Sequence, residues 1–457
     1  MSTIVSDGRL AELVADRERL VRDFVVAEQE PIARACHAIA RAHERGGTLI
    51  PYGAGSAATD AAHAAVEFMH PIIVGKRALP ALAPSNDPTG ASSAATLCRP
   101  DDIALALTHA GLDLGMSEFL ETARGRGALT IAMTGAAVDS CDVDFHFRVP
   151  SADPVAVQEA QETVYHVFWE LVHTFFEHPG LLEDSCITCG DVAVEAEVVA
   201  VEGANATIEL DGARERVAIE LLEGVEVGDT LLCHAGVALE KLSADAERPP
   251  EEADDPSGFL YPFLGRSEHD LDTVLRDARA STVRKAEDVI ELRRAIDVEA
   301  VEACARNLRV RLDAGARILT FGNGGSATDA QDLAADALAR GWPAACLTND
   351  SATVTAVGND VGFDKVFSRQ LIPLARAGDI AFAITTSGNS ANVIAGLEEA
   401  RRRELLTCAI AGYDGGRLAG LEWLDHLFVV ASDYVPRLQE AQATIYHLLL
   451  EAIGERR

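Results

Sequence analysis

The sequence predicts an α/β protein with two domains, each a parallel sheet flanked by helices, separated by a small all-β barrel module. Two long stretches alternate helical patterns with short apolar runs, which is typical of buried parallel strands. The stretch between them contains β-rich runs divided by glycine turns. The third observation is a repeat: GAGSAATDAAHAAVE (53–67) shares seven of its fifteen residues with GNGGSATDAQDLAAD (322–336).

A second pair of matching segments supports duplication. VQEAQETVYH ends at His166, LQEAQATIYH ends at His447, and seven of the ten positions are identical. We therefore interpret residues 15–183 and 285–457 as two copies of one domain that differ in loop length.

The two copies have similar predicted elements. The first copy has helical patterns at 10–45, 57–69, 117–126 and 154–177, and strands in TLIPYG, DIALALT, ALTIAMTG and DFHFRVP. The second has helical patterns at 287–314, 327–339, 391–403 and 436–453, and strands in ARILTFG, AACLTN, DIAFAIT, LTCAIAG and HLFVVA.

Residues 186–242 form the predicted β module. The runs EAEVVAVEG, ATIELDG, RVAIEL and DTLLCHAG are separated by Gly203, Asp211-Gly212 and Gly228-Asp229, which are turn signals. Residues 243–258 are acidic and proline-rich with little to bury, so we expect a linker.

Composition limits the partners. The formal net charge of -33 over 457 residues counts against nucleic acid and anionic membranes, which need basic surface. A phosphorylated ligand must then be bound locally. The nine scattered cysteines, the absence of an apolar run of 18 residues and the lack of a secretion signal at the start predict a cytoplasmic protein with reduced thiols.

Two loops of the second copy have the composition of phosphate-binding loops. A strand leads into Gly322–Ser326 and then a helix, so glycines permit close approach and helix N–H groups face an anion. A second strand leads into Thr385–Ser390, where hydroxyls and N–H groups could surround one phosphate without lysine. Such clusters also form helix caps, but two of them at carboxyl ends of predicted strands favour ligand binding.

The C-terminal copy resembles the sedoheptulose 7-phosphate isomerase branch of the SIS (sugar isomerase) family. GNGGSATDAQ, LTND, VGNDVGFDKVFSRQ, TTSGNSANV, GYDGGRL and PRLQEAQATIYH carry the resemblance. It implies a Rossmann-like fold, aldose–ketose isomerisation through an enediol, and a homo-oligomer. By resemblance, the phosphate ligands are Ser326, Thr385, Thr386, Ser387 and Ser390. The sugar would contact Asn323, Arg340, Asp350 and Gln439.

Isomerisation also needs a base and an acid, and a divalent metal such as zinc can polarise the sugar oxygens. The family pattern is a His with a Glu four residues later, on one helix face, and a Gln with a His eight residues later.

The first copy has the complete set: His63, Glu67, Gln158 and His166. The second has a changed set: Asp332, Asp336, Gln439 and His447. Eight helical residues rise about 12 Å, so the Gln and His of one helix reach one ion only at a stretch or from different subunits.

The residues leave two functional interpretations open. In the first, the C-terminal copy works alone, with Asp336 as base and His447 as acid. In the second, half-sites combine, and His63 and Glu67 serve the phosphate loops of the other copy. The first copy's own loops are degenerate, because Thr108–Asp113 ends in an acid that repels phosphate. A third, non-functional interpretation is that His63 packs or caps and that Glu67 is solvated.

The β module resembles the hydrogenase formation chaperones of the HypC/HupF family, through CITCGD, the VGD turn and HAGVALEKL. That resemblance implies that Cys186 or Cys189, with His234, binds iron and that a hydrogenase subunit or maturation factor is a partner. The family cysteine usually follows the initiator Met and precedes Pro-Gly, whereas here it is internal and lacks Pro-Gly. The alternative function is therefore a non-catalytic assembly protein in which the SIS copies form a scaffold responsive to sugar phosphate.

Overall fold

The computed structural model describes residues 8–71, 76–84, 90–178, 181–182, 194–203, 205–210, 213–219, 222, 224–234, 237–242 and 271–456. The predicted linker at 243–258 and the pair Cys186 and Cys189 lie outside the described residues.

The first sheet has four parallel strands in the order β1-β2-β3-β4. These are β1 Leu49–Gly53, β2 Ile103–Leu107, β3 Leu129–Thr134 and β4 Phe145–Arg148. The helices around it are α1 Arg9–Glu44, α2 Ala57–Met69, α3 Gly90–Leu97, α4 Leu114–Gly125 and α5 Pro154–Phe176. Helix α5 begins where it does because the Asp153 side chain accepts a hydrogen bond from Val155 N and Pro154 occupies the first turn.

The second sheet has five parallel strands in the order β11-β10-β12-β13-β14. These are β10 Ile318–Phe321, β11 Ala344–Cys346, β12 Ile380–Ile384, β13 Leu406–Gly412 and β14 His426–Val430. The helices are α6 Leu271–Arg294, α7 Val298–Asp313, α8 Gly325–Ala339, α9 Ser351–Asp360, α10 Val366–Leu374, α11 Ala391–Arg402 and α12 Val435–Ile453. Short 3-10 helices span Phe363–Lys365 and Gly416–Gly420. The predicted parallel sheets flanked by helices are confirmed.

A closed five-stranded barrel lies between the two sheets in the chain, with neighbour order β5-β6-β7-β9-β8. Its strands are β5 Val194–Glu202, β6 Asn205–Leu210, β7 Ala213–Ala218, β8 Thr230–His234 and β9 Val237–Leu242. The predicted barrel is therefore confirmed. No helix in the described part of the chain is both long and apolar enough to cross a membrane.

The structure corrects two predicted segments of the second copy. The helix predicted at 287–314 is two helices, because the Asp297 side chain accepts a hydrogen bond from Ala300 N at 3.0 Å and starts α7. Residues 351–374, for which we predicted no element, contain α9, a 3-10 turn and α10. Helix α9 has no buried residue, so it lacks the apolar stripe by which a helix is recognised in a sequence.

Two long helices join the hydrophobic cores. Leu10 and Val14 in α1 pack in the core of the second sheet, whereas Phe24 in the same helix packs in that of the first. Conversely, α6 follows the barrel, yet its Leu275 and Val289 pack in the core of the first sheet. Each core therefore contains side chains from both halves of the chain.

We predict that Leu275→Ala lowers the free energy of unfolding by about 2–5 kcal/mol, because the substitution leaves a cavity in a core that belongs to the other half. Its exposed neighbour is the control, since Arg276→Ala should change that free energy by less than about 0.5 kcal/mol. Urea unfolding followed by tryptophan fluorescence measures both. Equal stability of the two variants would show that α6 contributes little to the first core.

Candidate functional site

Four side chains of the predicted metal and acid–base pattern converge between the copies, and we name this group site A: His63, Glu67, His166 and Gln439. His63 Nε2 lies 3.6 Å from Glu67 Oε1 and 3.3 Å from Gln439 Nε2. The rings of His63 and His166 have centroids 5.2 Å apart. The glutamine comes from the second copy; Gln158 of the first copy lines a small cavity that also contains Asp332.

The glycine loop of the C-terminal copy lies directly against site A. A Cβ atom on Gly325 would overlap Gln439 Nε2 and would stand 2.8 Å from His63 Nε2. A side chain at this position would therefore displace Gln439 and His63, whereas glycine lets helix α8 begin against them, with Ser326 buried in its first turn. The structure thus brings the intact glycine loop of one copy to the His63 and Glu67 pair of the other.

The second loop of the C-terminal copy is tied to the first. Asn323 and Asn392 exchange two side-chain hydrogen bonds of 2.9 and 2.8 Å, which connect the glycine loop to the start of α11. Gln442 donates to the Thr385 carbonyl at 3.0 Å. The Ser390 side chain makes no capping hydrogen bond to α11, although it occupies the cap position. Its hydroxyl is therefore not used as the cap that such clusters often provide.

Two of the expected sugar-lining residues have other roles in this chain. Arg340 is the C-cap residue of α8, at the opposite end of this helix from the glycine loop. Its Nη2 atom lies 2.5 Å from Glu451 Oε1. The contact with Glu451 does not decide whether Arg340 lines the sugar, which stays a prediction. Asp350 caps α9, because its Oδ1 accepts a hydrogen bond from Ala352 N at 3.0 Å.

A second group lies beside the first copy's loops, and we name it site B: Asp332, Asp336 and His447. His447 Nε2 lies 3.4 Å from Asp332 Oδ2 and 3.7 Å from Asp336 Oδ2. Thr59, in the first turn of α2, donates to Asp332 Oδ1 at 3.3 Å. Asp332 therefore faces the first copy.

In the first copy, His109 connects the loop at 108–113 to the glycine loop and to helix α2. His109 replaces Thr386 of the other copy, and its ring nitrogens contact Ser56 Oγ at 3.1 Å and Asp60 Oδ2 at 2.9 Å. Burial lowers the pKa of His109, but Asp60 and the charges of Asp332 and Asp336 outweigh burial and raise it. The first copy thus has an imidazole at the position of Thr386, in contact with Ser56 of its glycine loop and Asp60 of α2.

Each histidine of the last helices is held by a carboxylate of the other copy. His166 Nδ1 lies 3.0 Å from Glu440 Oε1, and His447 Nδ1 lies 2.9 Å from Glu159 Oε1. A carboxylate at Nδ1 keeps the proton there and leaves Nε2 for a ligand. The Nε2 atoms of His166 and His447 are buried and make no hydrogen bond of ordinary geometry.

The two carboxylates are themselves neutralised by buried groups. Glu440 accepts a hydrogen bond from Thr163 at 2.6 Å and pairs with Arg437, and Glu159 pairs with Arg17 at 2.8 Å. Burial lowers the pKa of His166, even though Glu440 raises it. For His447 burial also lowers the pKa, but contacts with Asp332 and Glu159 outweigh it and raise the pKa to about 9.

Two further acids lie between the sites in the small cavity, and sequence reasoning missed them. Asp329 Oδ1 is 3.5 Å from His63 Nδ1, while Asp329 Oδ2 and Glu162 Oε1 have no hydrogen-bond partner. Burial raises the pKa of Asp329 to about 7 and that of Glu162 well above its usual range. The repeats did contain a signal for some of these acids. Asp60 aligns with Asp329, and Glu159 aligns with Glu440, so each pair is an acidic residue that both copies share.

Comparison with known proteins agrees with the fold and with both family resemblances. The SIS domain family model matches residues 283–412, and the HupF/HypC family model matches residues 192–250. The phosphoheptose isomerase of Solidesulfovibrio magneticus is 45% identical over 161 residues, which cover 34% of this chain and 78% of that protein. That of Aquifex aeolicus is 42% identical over 166 residues, covering 35% of this chain and 83% of that protein. These matches confirm both resemblances seen in the sequence.

One solved structure matches along almost the whole chain. The C-terminal domain of glucosamine-fructose-6-phosphate aminotransferase from Francisella tularensis aligns with a TM-score of 0.52 and 8% identity, covering 99% of this chain and 97% of that one. At this identity the likeness concerns the fold alone.

We predict that Glu162→Gln stabilises the chelator-treated protein, and more so at pH 8 than at pH 5. Burial and the charges of Asp329, Glu440 and Asp60 raise the pKa of Glu162, with Arg293 opposing them. In the unfolded chain the Glu162 carboxyl loses its proton above a pKa of about 4.3, whereas in the folded protein it keeps the proton to higher pH. The free energy of unfolding of the wild type therefore falls as pH rises above that value. Gln mimics the protonated acid.

Urea unfolding at both pH values measures this difference, with Glu118→Gln on the exposed face of α4 as the control. A Glu162→Gln effect that is independent of pH would mean that Glu162 titrates normally.

Proposed function

The chain belongs to the phosphoheptose isomerase family of SIS-domain proteins, and from this premise we propose that it interconverts the ketose and aldose forms of a sugar phosphate of the sedoheptulose 7-phosphate type. The observation that carries the proposal is the contact of Gly325 with His63 and Gln439. It joins the intact phosphate loops to the complete acid–base set across the two copies.

The phosphate group would lie between the two loops of the C-terminal copy. Amides at the start of α8 and the hydroxyls of the loops offer donors without a lysine. The hydroxyl residues in this role are Ser326, Thr385, Thr386, Ser387 and Ser390. The Asn323–Asn392 pair fixes the distance between the loops, so the anion meets a preformed site.

Site A also fits a divalent metal. The ligand atoms of His63, Glu67 and His166 lie within 4.8 Å of one another. The buried Nε2 of His166 has no hydrogen-bond partner, and its Nδ1 faces a carboxylate, as in many metal-binding histidines. Two imidazoles with a carboxylate suit zinc, and Gln439 supplies a fourth ligand. Such a metal would polarise the carbonyl and hydroxyl oxygens of the sugar.

The protein residues of site A supply the proton transfers. In the ketose-to-aldose direction, a base removes a proton from C1 and an acid protonates the oxygen on C2, which gives the enediol. Protonation at C2 and loss of the proton from the oxygen on C1 then give the aldose. We assign Glu67 as the base. The Nε2 atom of His166 would contact the sugar oxygens when it binds no metal, while Glu440 keeps the Nδ1 proton in place.

This assignment replaces the interpretation with Asp336 as base and His447 as acid. Both residues lie in site B, beside loops that have lost the phosphate-binding hydroxyls. The enzyme proposed here therefore has one isomerase site in each chain.

The match of residues 192–250 to the HupF/HypC family supports a second, independent role for the barrel in assembly of a hydrogenase subunit. His234 lies at the end of β8 and pairs with Val237 of β9. This role requires that a variant lacking residues 186–242 fails to support hydrogenase maturation. The same variant should keep its isomerase activity.

We predict that His166→Ala lowers kcat/KM for sedoheptulose 7-phosphate by about 10²–10⁴-fold, because it removes a group that touches the reacting oxygens. His447→Ala, its counterpart in the other copy, should retain most of the activity. A coupled assay of aldose formation measures both. The opposite pattern, with loss only in His447→Ala, would favour catalysis by the C-terminal copy alone.

We predict that Glu440→Gln lowers kcat by about 10–100-fold and shifts the pH profile, because His166 loses the carboxylate that fixes its proton. Glu159→Gln is the matched control: it removes the same kind of charge from His447. It should lower stability without shifting the pH profile. Identical profiles for the two variants would assign Glu440 a purely structural role.

A further inference from the structure

Site B is a buried set of side chains that the isomerase proposal does not use. Asp332 and Asp336 lie four residues apart on α8, and His447 approaches them from α12. The ligand atoms of these three residues lie within 4.8 Å of one another, as do those in site A. Site B thus has the spacing of a metal site, with two carboxylates and one imidazole.

The histidine of site B has one ring nitrogen held by a glutamate and the other directed at the two aspartates. His447 is fully buried, and its Nδ1 lies against Glu159. Its Nε2 faces the two carboxylates at 3.4 and 3.7 Å and makes no hydrogen bond of ordinary geometry. Bound to a common ion at about 2.1 Å each, neighbouring ligand atoms would be about 3 Å apart, so small side-chain movements suffice.

The surroundings of site B favour a cation and disfavour a phosphosugar. The loops on its first-copy side contain His109 in place of Thr386 and Asp113 in place of Ser390. Asp113 caps α4, where its Oδ1 accepts a hydrogen bond from Met116 N at 2.7 Å. Asp336 is the partly exposed member of the site, with 15% of its side chain accessible, and it gives a path from solvent.

We propose that Asp332, Asp336 and His447 form a second divalent-cation site that prefers Mn²⁺ or Mg²⁺ and binds no sugar phosphate. Two carboxylates make it harder than site A, where two imidazoles and one carboxylate favour zinc. The cation joins α8 to α12 and neutralises two acids beside the first copy. This proposal does not depend on the isomerase activity, since its ligands and its occupant are separate from those of site A.

Calorimetry and electron paramagnetic resonance with Mn²⁺ on the full-length, chelator-treated chain test this proposal. Equivalent positions in the two copies provide matched variants: Glu67→Gln changes site A and Asp336→Asn changes site B. Glu67→Gln should retain one tight Mn²⁺ site, and Asp336→Asn in that background should weaken binding at least 10-fold. Asp336 is partly exposed, so its amide variant should fold; circular dichroism confirms this.

Two results would overturn the proposal. One is that Glu67→Gln binds no Mn²⁺, which would leave His447 and the two acids as a closed ion-pair group. The other is that Mn²⁺ binding survives Asp336→Asn in the Glu67→Gln background, which would assign the binding to the acidic surface. Loss of isomerase activity in Glu67→Gln has no bearing on either result.

Discussion

The fold depends on two buried carboxylates that cross between the copies. Glu159 on α5 holds His447 on α12, and Glu440 on α12 holds His166 on α5. Each carboxylate is fully buried and paired with an arginine. Separating the two helices would leave uncompensated buried charges, and breaking one such pair typically costs about 3–5 kcal/mol. The same contacts that hold the copies together therefore also orient the functional histidines.

Each site lies between elements of both copies. The substitutions in the two copies therefore lie close together, at site B. The first copy has lost four of the five hydroxyl residues that we propose bind phosphate, and the second has Asp332 and Asp336 where the first has His63 and Glu67. Within either copy alone, the intact loops and the complete set of His63, Glu67, Gln158 and His166 do not occur together. Across the interface, the changed residues Asp332 and Asp336 lie beside the changed loops of the first copy, whereas His63 and Glu67 lie against the intact glycine loop of the second. The pattern then needs a single explanation, which is that one of two equivalent sites kept its first role.

The sequence was sufficient for the sheets, the barrel and the loops, because these depend on local periodicity and on turns. It also predicted that His63 and Glu67 share a helix face, as residues four apart must. It did not predict that Gln439 rather than Gln158 joins them, since that depends on how two helices cross. Helix α9 was missed because it buries no side chain.

Joining two copies in one chain is what permits this asymmetry. In a symmetric dimer of identical subunits, a substitution enters both sites at once, so a change from His to Asp would damage every site. In this chain, Asp332 enters only site B, while His63 at the equivalent position stays in site A. The crossed carboxylates keep both histidines oriented whatever each site binds. One interface can therefore support both the proposed isomerase site and the proposed cation site of different ligand hardness, and the α1 and α6 helices link the two cores.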